Sequence, residues 1–258
     1  MFPCRRRDAA CLLLLATVCI LSCVRVADAR PAPTTAMRRA DHHGGAVSRF
    51  KFFPGKPRWV RPTRPMVLTY ALSPTATVDY LPPNAVRAVF RSAFARWAEV
   101  IPVSFAETEH YDAADIKVGF YAGDHGDGYP FDGPLQLLAH AAAGPENGHI
   151  EFDAEEQWAV DLSADRSRFA FDLESVATHE IGHVLGLDHS SSLSSVMYPY
   201  IDKRERKVRL SGDDVEGIQE LYGVNPNFSF INYFKPDHDT PSSRFWRLGL
   251  AFILLWPL

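Results

Sequence analysis

The chain has 258 residues, 47% hydrophobic and 22% charged, the balance of a globular protein with room for one medium domain and extensions. A formal net charge of -4 leaves no electrostatic footprint for nucleic acid, so no nucleic-acid partner is expected. All four cysteines, Cys4, Cys11, Cys19 and Cys23, fall at the N-terminus.

Residues 1–29 have the layout of a secretory signal. Arg5, Arg6 and Arg7 form a basic start, Leu12 to Leu21 an apolar core, and Ala27 and Ala29 the small residues of a cleavage site. The core is short for a membrane span; the alternative is a short anchor. With cleavage after Ala29 the mature chain has no cysteine. A secreted protein without disulfides needs another fastening for its loops, and metal ions are the obvious one.

Residues 30–48, rich in Pro, Ala, Arg and Gly without an apolar period, predict a flexible leader in which His42 and His43 are solvated. MVLTYAL (66–72) predicts a strand. From Pro83 to Val100, Val86, Val89, Phe90, Phe94 and Trp97 recur every three or four residues and predict an amphipathic helix with those residues in the core. Ile116, Val118 and Phe120 alternate as in a strand; 123–148 is loop-like; HIEFD (149–153) is a further strand. Helices are expected from Leu173 to about Leu185 and from Leu210 to Tyr222, the last stopped by Gly223 and Pro226. No repeat is visible, and the grouping predicts an α+β domain over 49–224.

The tail, 225–258, ends in LGLAFILLWPL after the polar HDTPSSR. About eleven apolar residues cannot span a bilayer, but they suit a C-terminal lipid-anchor signal that is removed on processing. Arg244 and the short spacer fit that signal poorly; the alternative is a segment packed on the domain. Asn227-Phe228-Ser229 is a candidate glycosylation site.

The chemistry concentrates in HEIGHVLGLDH, 179–189. Helix positions four apart share a face, so His179 and His183 can bind one zinc. Glu180 suits a base acting on water at that metal. Gly186 tolerates positive φ, which lets the chain turn back and bring His189 to the same ion. Three protein ligands leave a fourth position open, the pattern of a catalytic zinc. In the loop before, His125, Asp127 and His140 can hold a second zinc, and Asp132, Asp153 and Glu156 are oxygen donors suited to calcium.

The full spacing H-E-x-x-H-x-x-G-x-x-H, followed by Ser195-Val196-Met197-Tyr198-Pro199, is the metzincin signature, with Met197 as the floor beneath the zinc. FFPGKPRW (52–59), LTYAL (68–72), ADIKVGF (114–120), HGDGYPFDGP (125–134), LAHA (138–141), FDAEEQW (152–158) and LSGDDVEGIQELYG (210–223) follow in order. Over residues 50–224 the chain resembles a matrixin, or matrix metalloproteinase, most of all the plant members.

The resemblance implies a five-stranded twisted sheet with three helices, a catalytic zinc, a structural zinc and calcium, and hydrolysis of peptide bonds in extracellular proteins. It implies that His179, His183 and His189 hold the catalytic zinc with Glu180 as base, and that His125, Asp127 and His140 hold the structural zinc. Asp132, the carbonyls of Gly133, Leu135 and Leu137, Asp153 and Glu156 would hold one calcium, and Asp115 would help hold another. Leu138, Ala139 and Ala141 would run beside the substrate, and Tyr198, Pro199 and Tyr200 would line the pocket for the residue after the cut.

Three departures stand out. The family's third structural-zinc histidine is replaced by Glu151, with His149 two residues earlier on the same strand face. Glu151 keeps the register and His149 the chemical type; the register favours Glu151 and a less tightly held zinc. No cysteine follows Cys23 to cap the zinc as the family's propeptide does, and no large domain follows Gly223. The expected protein is a monomeric, secreted or surface-anchored zinc endopeptidase; the alternative is a catalytically silent binding module on the same scaffold.

Overall fold

The strand predicted over 66–72 pairs on both sides, and one mixed sheet grows around it. The structure is a computed structural model that describes residues 22–25, 49–62, 65–145 and 148–235. In chain order its elements are β1 (Ser22–Arg25), β2 (Lys51–Phe52), β3 (Met66–Leu72), α1 (Pro83–Val100), β4 (Val103–Glu107), β5 (Ile116–Tyr121), β6 (Leu137–Ala141), β7 (His149–Asp153), β8 (Trp158–Ala159), β9 (Phe171–Asp172), α2 (Leu173–Val184), β10 (Leu187–Asp188), α3 (Gly212–Tyr222) and α4 (Phe230–Tyr233).

The sheet order is β6-β7-β5-β3-β4, all parallel except β6, which runs antiparallel to β7. Their number, five, is the one the resemblance implied. A sixth, β1, lies antiparallel on the outer edge of β6, with Val24 opposite Ala139, and comes from the residues predicted as a signal.

Pro83 opens α1 at a position where a missing N–H costs nothing. The helix buries Val86, Val89, Phe90, Ala93, Phe94, Trp97 and Val100. Tyr70 of β3 stacks on Phe94 at 4.2 Å, and Phe152 of β7 meets Phe90 edge-on at 5.5 Å, so the predicted apolar stripe faces the sheet. Asp172 caps α2 by accepting from Ser175 N. Every residue of α2 is buried, held against α1 by Trp97 Nε1 donating to Thr178 O at 2.9 Å. At its other end Trp59 Nε1 donates to Val184 O at 3.0 Å. Ser211 and Asp214 form a reciprocal cap on α3.

The chain divides after Asn225 into a large unit and Pro226–Leu258, of which the described part carries α4 and an exposed Asn227. The proposed leader (30–48), the cleavage site after Ala29 and the C-terminal apolar run lie outside the described residues.

Candidate metal centre

α2 presents His179 and His183 one turn apart, as the helical period requires. His179 Nδ1 donates to Val196 O and His183 Nδ1 to Leu187 O, both at 2.7 Å. With each ring proton committed there, both Nε2 atoms present lone pairs, yet they lie 2.8 Å apart. Two facing lone pairs repel unless a cation sits between them.

Past the helix, Gly186 adopts φ +109° and lies so close to Pro57 O that no Cβ fits. That bend returns β10 against β2 and brings the His189 ring to 5.3 Å from His179 and 4.9 Å from His183, centre to centre. The three ligand atoms lie within 4.8 Å of one another. His189 Nε2 and both Glu180 carboxylate oxygens are buried without a hydrogen-bond partner.

Burial dominates the electrostatics. It pushes His179 down to about 3, with His189 adding to the shift, and pushes His183 well below its ordinary value. It also raises Glu180 well above the usual carboxylate range. The rings are therefore neutral donors at physiological pH, the form that ligates metal. Met197 supports the centre from below: its Sδ fills the space a Cβ on Gly182 would take. The turn that holds Met197 hangs on Asp214, which accepts from Ser195 Oγ, Val196 N (2.9 Å) and Met197 N (3.2 Å).

A second cluster gathers His125, Asp127, His140 and Glu151. His140 Nε2 lies 2.9 Å from Asp127 Oδ2 and 2.8 Å from Glu151 Oε2. His125 donates Nδ1 to Gly123 O at 2.9 Å and turns Nε2 toward both carboxylates, at 3.2 and 3.3 Å. Burial pushes the Glu151 carboxyl up, but His140 and His125 outweigh it and the net shift is downward, toward the ionised form. Two carboxylates and two imidazoles balance one divalent ion. His149, by contrast, is exposed, its Nδ1 3.9 Å from Glu151 Oε1. Of the two alternatives, the structure gathers Glu151.

The third cluster fits a hard cation. Asp153 Oδ2 and Glu156 Oε2 are buried without a hydrogen-bond partner. Burial raises Glu156 to about 7, with Asp153 and Asp132 adding to it, and raises Asp153 as well. The loop through Gly133, Leu135 and Leu137 wraps the acids: Leu137 N donates to Asp132 Oδ1 and Leu135 N to Glu156 Oε1. Leu135 holds φ +81° to do so.

Asp115 does not join this cluster. Its Oδ1 pairs with the Arg61 guanidinium, and its Oδ2 accepts from Thr69 N (2.8 Å) and Thr69 Oγ1 (3.0 Å). Arg61 and Thr69 are thus the partners this carboxylate meets.

The family model for matrixins matches residues 58–223. The chain belongs to the matrixin family. This matrixin is 55% identical over 221 residues to Metalloendoproteinase 4-MMP of Arabidopsis thaliana, covering 84% of the chain and 64% of that protein. It is 56% identical over 181 residues to Metalloendoproteinase 1-MMP of the same plant, covering 70% and 48%. Against Matrix metalloproteinase-20 of Homo sapiens the identity is 40% over 188 residues, covering 70% and 36%. The matrixin described here thus spans less than two thirds of the length of each of these relatives.

Leu138, Ala139 and Ala141 lie on β6, whose outer edge pairs with β1. Tyr198 and Tyr200 stand near His179, their rings 5.8 Å apart, with Pro199 between them in the chain. Sequence reasoning missed three residues that organise this matrixin's site. Asp214 was signalled by the cap pattern of 211–214. Arg61 and Lys207 carried no local signal.

Proposed function

We propose that this chain is a zinc-dependent endopeptidase that cleaves peptide bonds of extracellular proteins. One observation carries the proposal: three neutral imidazoles converge, two with lone pairs opposed, beside a buried glutamate with no partner. His179, His183 and His189 would hold the catalytic zinc, and what a zinc ion supplies when bound is Lewis acidity toward a carbonyl and a lowered pKa of water.

The chain's own groups do the rest. A cation at the neighbouring imidazoles favours the ionised form of Glu180. Its carboxylate then takes a proton from the attacking water and hands it to the leaving amine. β6 aligns the substrate as an added strand, an arrangement for which its pairing with β1 is a precedent. Leu138, Ala139 and Ala141 border that strand, and Tyr198, Pro199 and Tyr200 form the wall for the residue after the cut.

His125, Asp127, His140 and Glu151 would hold a structural zinc, and Asp132, Asp153 and Glu156 calcium; both fix the loops that flank β6. The protein acts as a secreted or surface-anchored monomer. Glu180→Gln should retain zinc and fold yet lose activity on a quenched peptide by about 100-fold or more. A Glu180→Gln protein with full turnover, or a wild type indifferent to chelator, overturns the proposal.

A further inference from the structure

The sheet is parallel through β4, β3, β5 and β7, and β3 is its turning point. From β3 the chain passes through α1 to β4 on one side; β5 pairs on the other side and leads on to β6 and β7. Connections that leave neighbouring parallel strands in opposite directions open a crevice beyond the strands' carboxyl ends, where open sheets hold ligands. Leu72, the last residue of β3, and Val118, its partner on β5, border a cavity of about 330 Å³ at that place. Ligand sites start at about this size, 300–1,000 Å³ being their range. The remaining apolar walls are Val78 and Leu81 from the loop after β3, Val86 of α1 and Phe120 of β5.

The cavity is built before any ligand arrives. Ser73 N donates to Val118 O at 2.7 Å and Phe120 N to Ala76 O at 3.0 Å, which ties the loop to β5. Ser73 Oγ accepts from Ala76 N at 2.9 Å and closes the turn. Farther on, Tyr80 Oη donates to Glu156 O at 2.9 Å and accepts from Trp158 N at 2.8 Å. Protein interiors leave few voids larger than a water, so an opening of this size between pinned walls is a designed feature of the fold.

Its polar groups are few, and they set the chemistry of the ligand. Thr77 and Asp79 are exposed on the rim, and neither side chain has a hydrogen-bond or ion-pair partner among the described residues. Arg87, also on the rim, is engaged by Glu107, which Arg91 shares at 3.2 Å. The start of α1 offers an anion little: Pro83 has no N–H, and Ala85 N and Val86 N donate to Pro82 O. The groups left over are acceptors, the Asp79 carboxylate and the Thr77 hydroxyl. We infer that this crevice, built from residues that belong to none of the metal clusters, is a second binding site. It takes a compact, uncharged molecule of one or two rings that carries a hydroxyl or N–H donor, of the phenol or indole class. The rings fill the apolar walls, and the donor reaches the acceptors on the rim.

The test measures binding to the full chain by ligand-observed NMR titration, with para-ethylphenol, indole, ethylbenzene and phenylpropionate as probes. para-Ethylphenol and indole should bind with a Kd of about 1 mM or tighter, and ethylbenzene and phenylpropionate about tenfold more weakly. A rim variant that combines Thr77→Val with Asp79→Ala should bring para-ethylphenol down to the affinity of ethylbenzene. Val86→Phe, which fills the cavity, should abolish binding of all four; where that variant fails to fold, the rim variant decides, because both its side chains are exposed. Absence of binding by every probe overturns the inference. So does ethylbenzene or phenylpropionate binding as tightly as para-ethylphenol, or a para-ethylphenol affinity unchanged in the rim variant or in a folded Val86→Phe protein.

Discussion

His179 and His183 show how much one proton placement decides. Their Nδ1 atoms are spent on Val196 O and Leu187 O, so the paired Nε2 atoms have no role but to accept a cation. Glu151 shows the reverse case, in which changing one ligand changes the character of a site. A carboxylate in place of an imidazole makes the donor set harder and leaves the ion less firmly held. Glu151→Ala should release one metal equivalent while the three-histidine site stays filled, and Glu151→His should hold that equivalent against more chelator. Metal content after graded chelation separates the two sites; equal loss from both in Glu151→Ala would contradict the assignment. Gly182 is constrained by contact rather than by φ, since an added Cβ would overlap Met197 Sδ and approach Trp97 at 2.9 Å. Gly182→Ala should cost about 1–3 kcal/mol in denaturant unfolding, as overpacking does.

Among the elements, α2 and α3 meet through one buried carboxylate. Asp214 caps α3 with Ser211 and at the same time suspends the Met197 turn through Ser195 Oγ and the amides of Val196 and Met197. Asp214→Ala leaves several buried donors unpaired, each costing about 1–3 kcal/mol. We expect the unfolding midpoint to fall steeply and zinc retention to fall with it, because the turn supplies the Val196 carbonyl that orients His179. A stable Asp214→Ala protein with unchanged zinc would show that the turn holds itself. The segment carrying Lys207 is tethered in the same manner: Arg204 reaches the carbonyls of Leu162, Asp165 and Ser167, and Arg206 the cap of α2. Residues 204–207 and the zinc helix therefore form one unit.

For the whole molecule, the metal centres give pH dependences of opposite sign. Glu156 sits at about 7 when folded against an ordinary 4.5, so the calcium-free fold binds the extra proton and loses stability as pH rises from about 4.5 to 7. The stabilisation gained by adding calcium should thus be larger at pH 8 than at pH 5, measured by denaturant unfolding with zinc retained. A calcium effect that is flat or larger at pH 5 would deny the acidic cluster that role. His179 runs the other way: held at about 3 against 6.5, it costs the zinc-free fold stability as pH falls from about 6.5 toward 3.

Much of this molecule is legible in its sequence wherever a local period decides. The stripe from Val86 to Trp97 marks α1 to the residue, and the four-residue step puts His179 and His183 on one face. Gly186, which alone tolerates both the positive φ and the contact with Pro57, announces the bend that returns His189. The short β4 went unread although Pro102 separates Val103–Glu107 from α1. Packing decided what period cannot reach. Glu151 rather than His149 joins His125 and His140, Arg61 pairs with Asp115, and Lys207 arrives beside His179. Helical and strand periods fix directions only over a few residues, whereas these encounters join segments remote in the chain, and only the way the sheet, α2 and the loops close on one another sets which charge meets which.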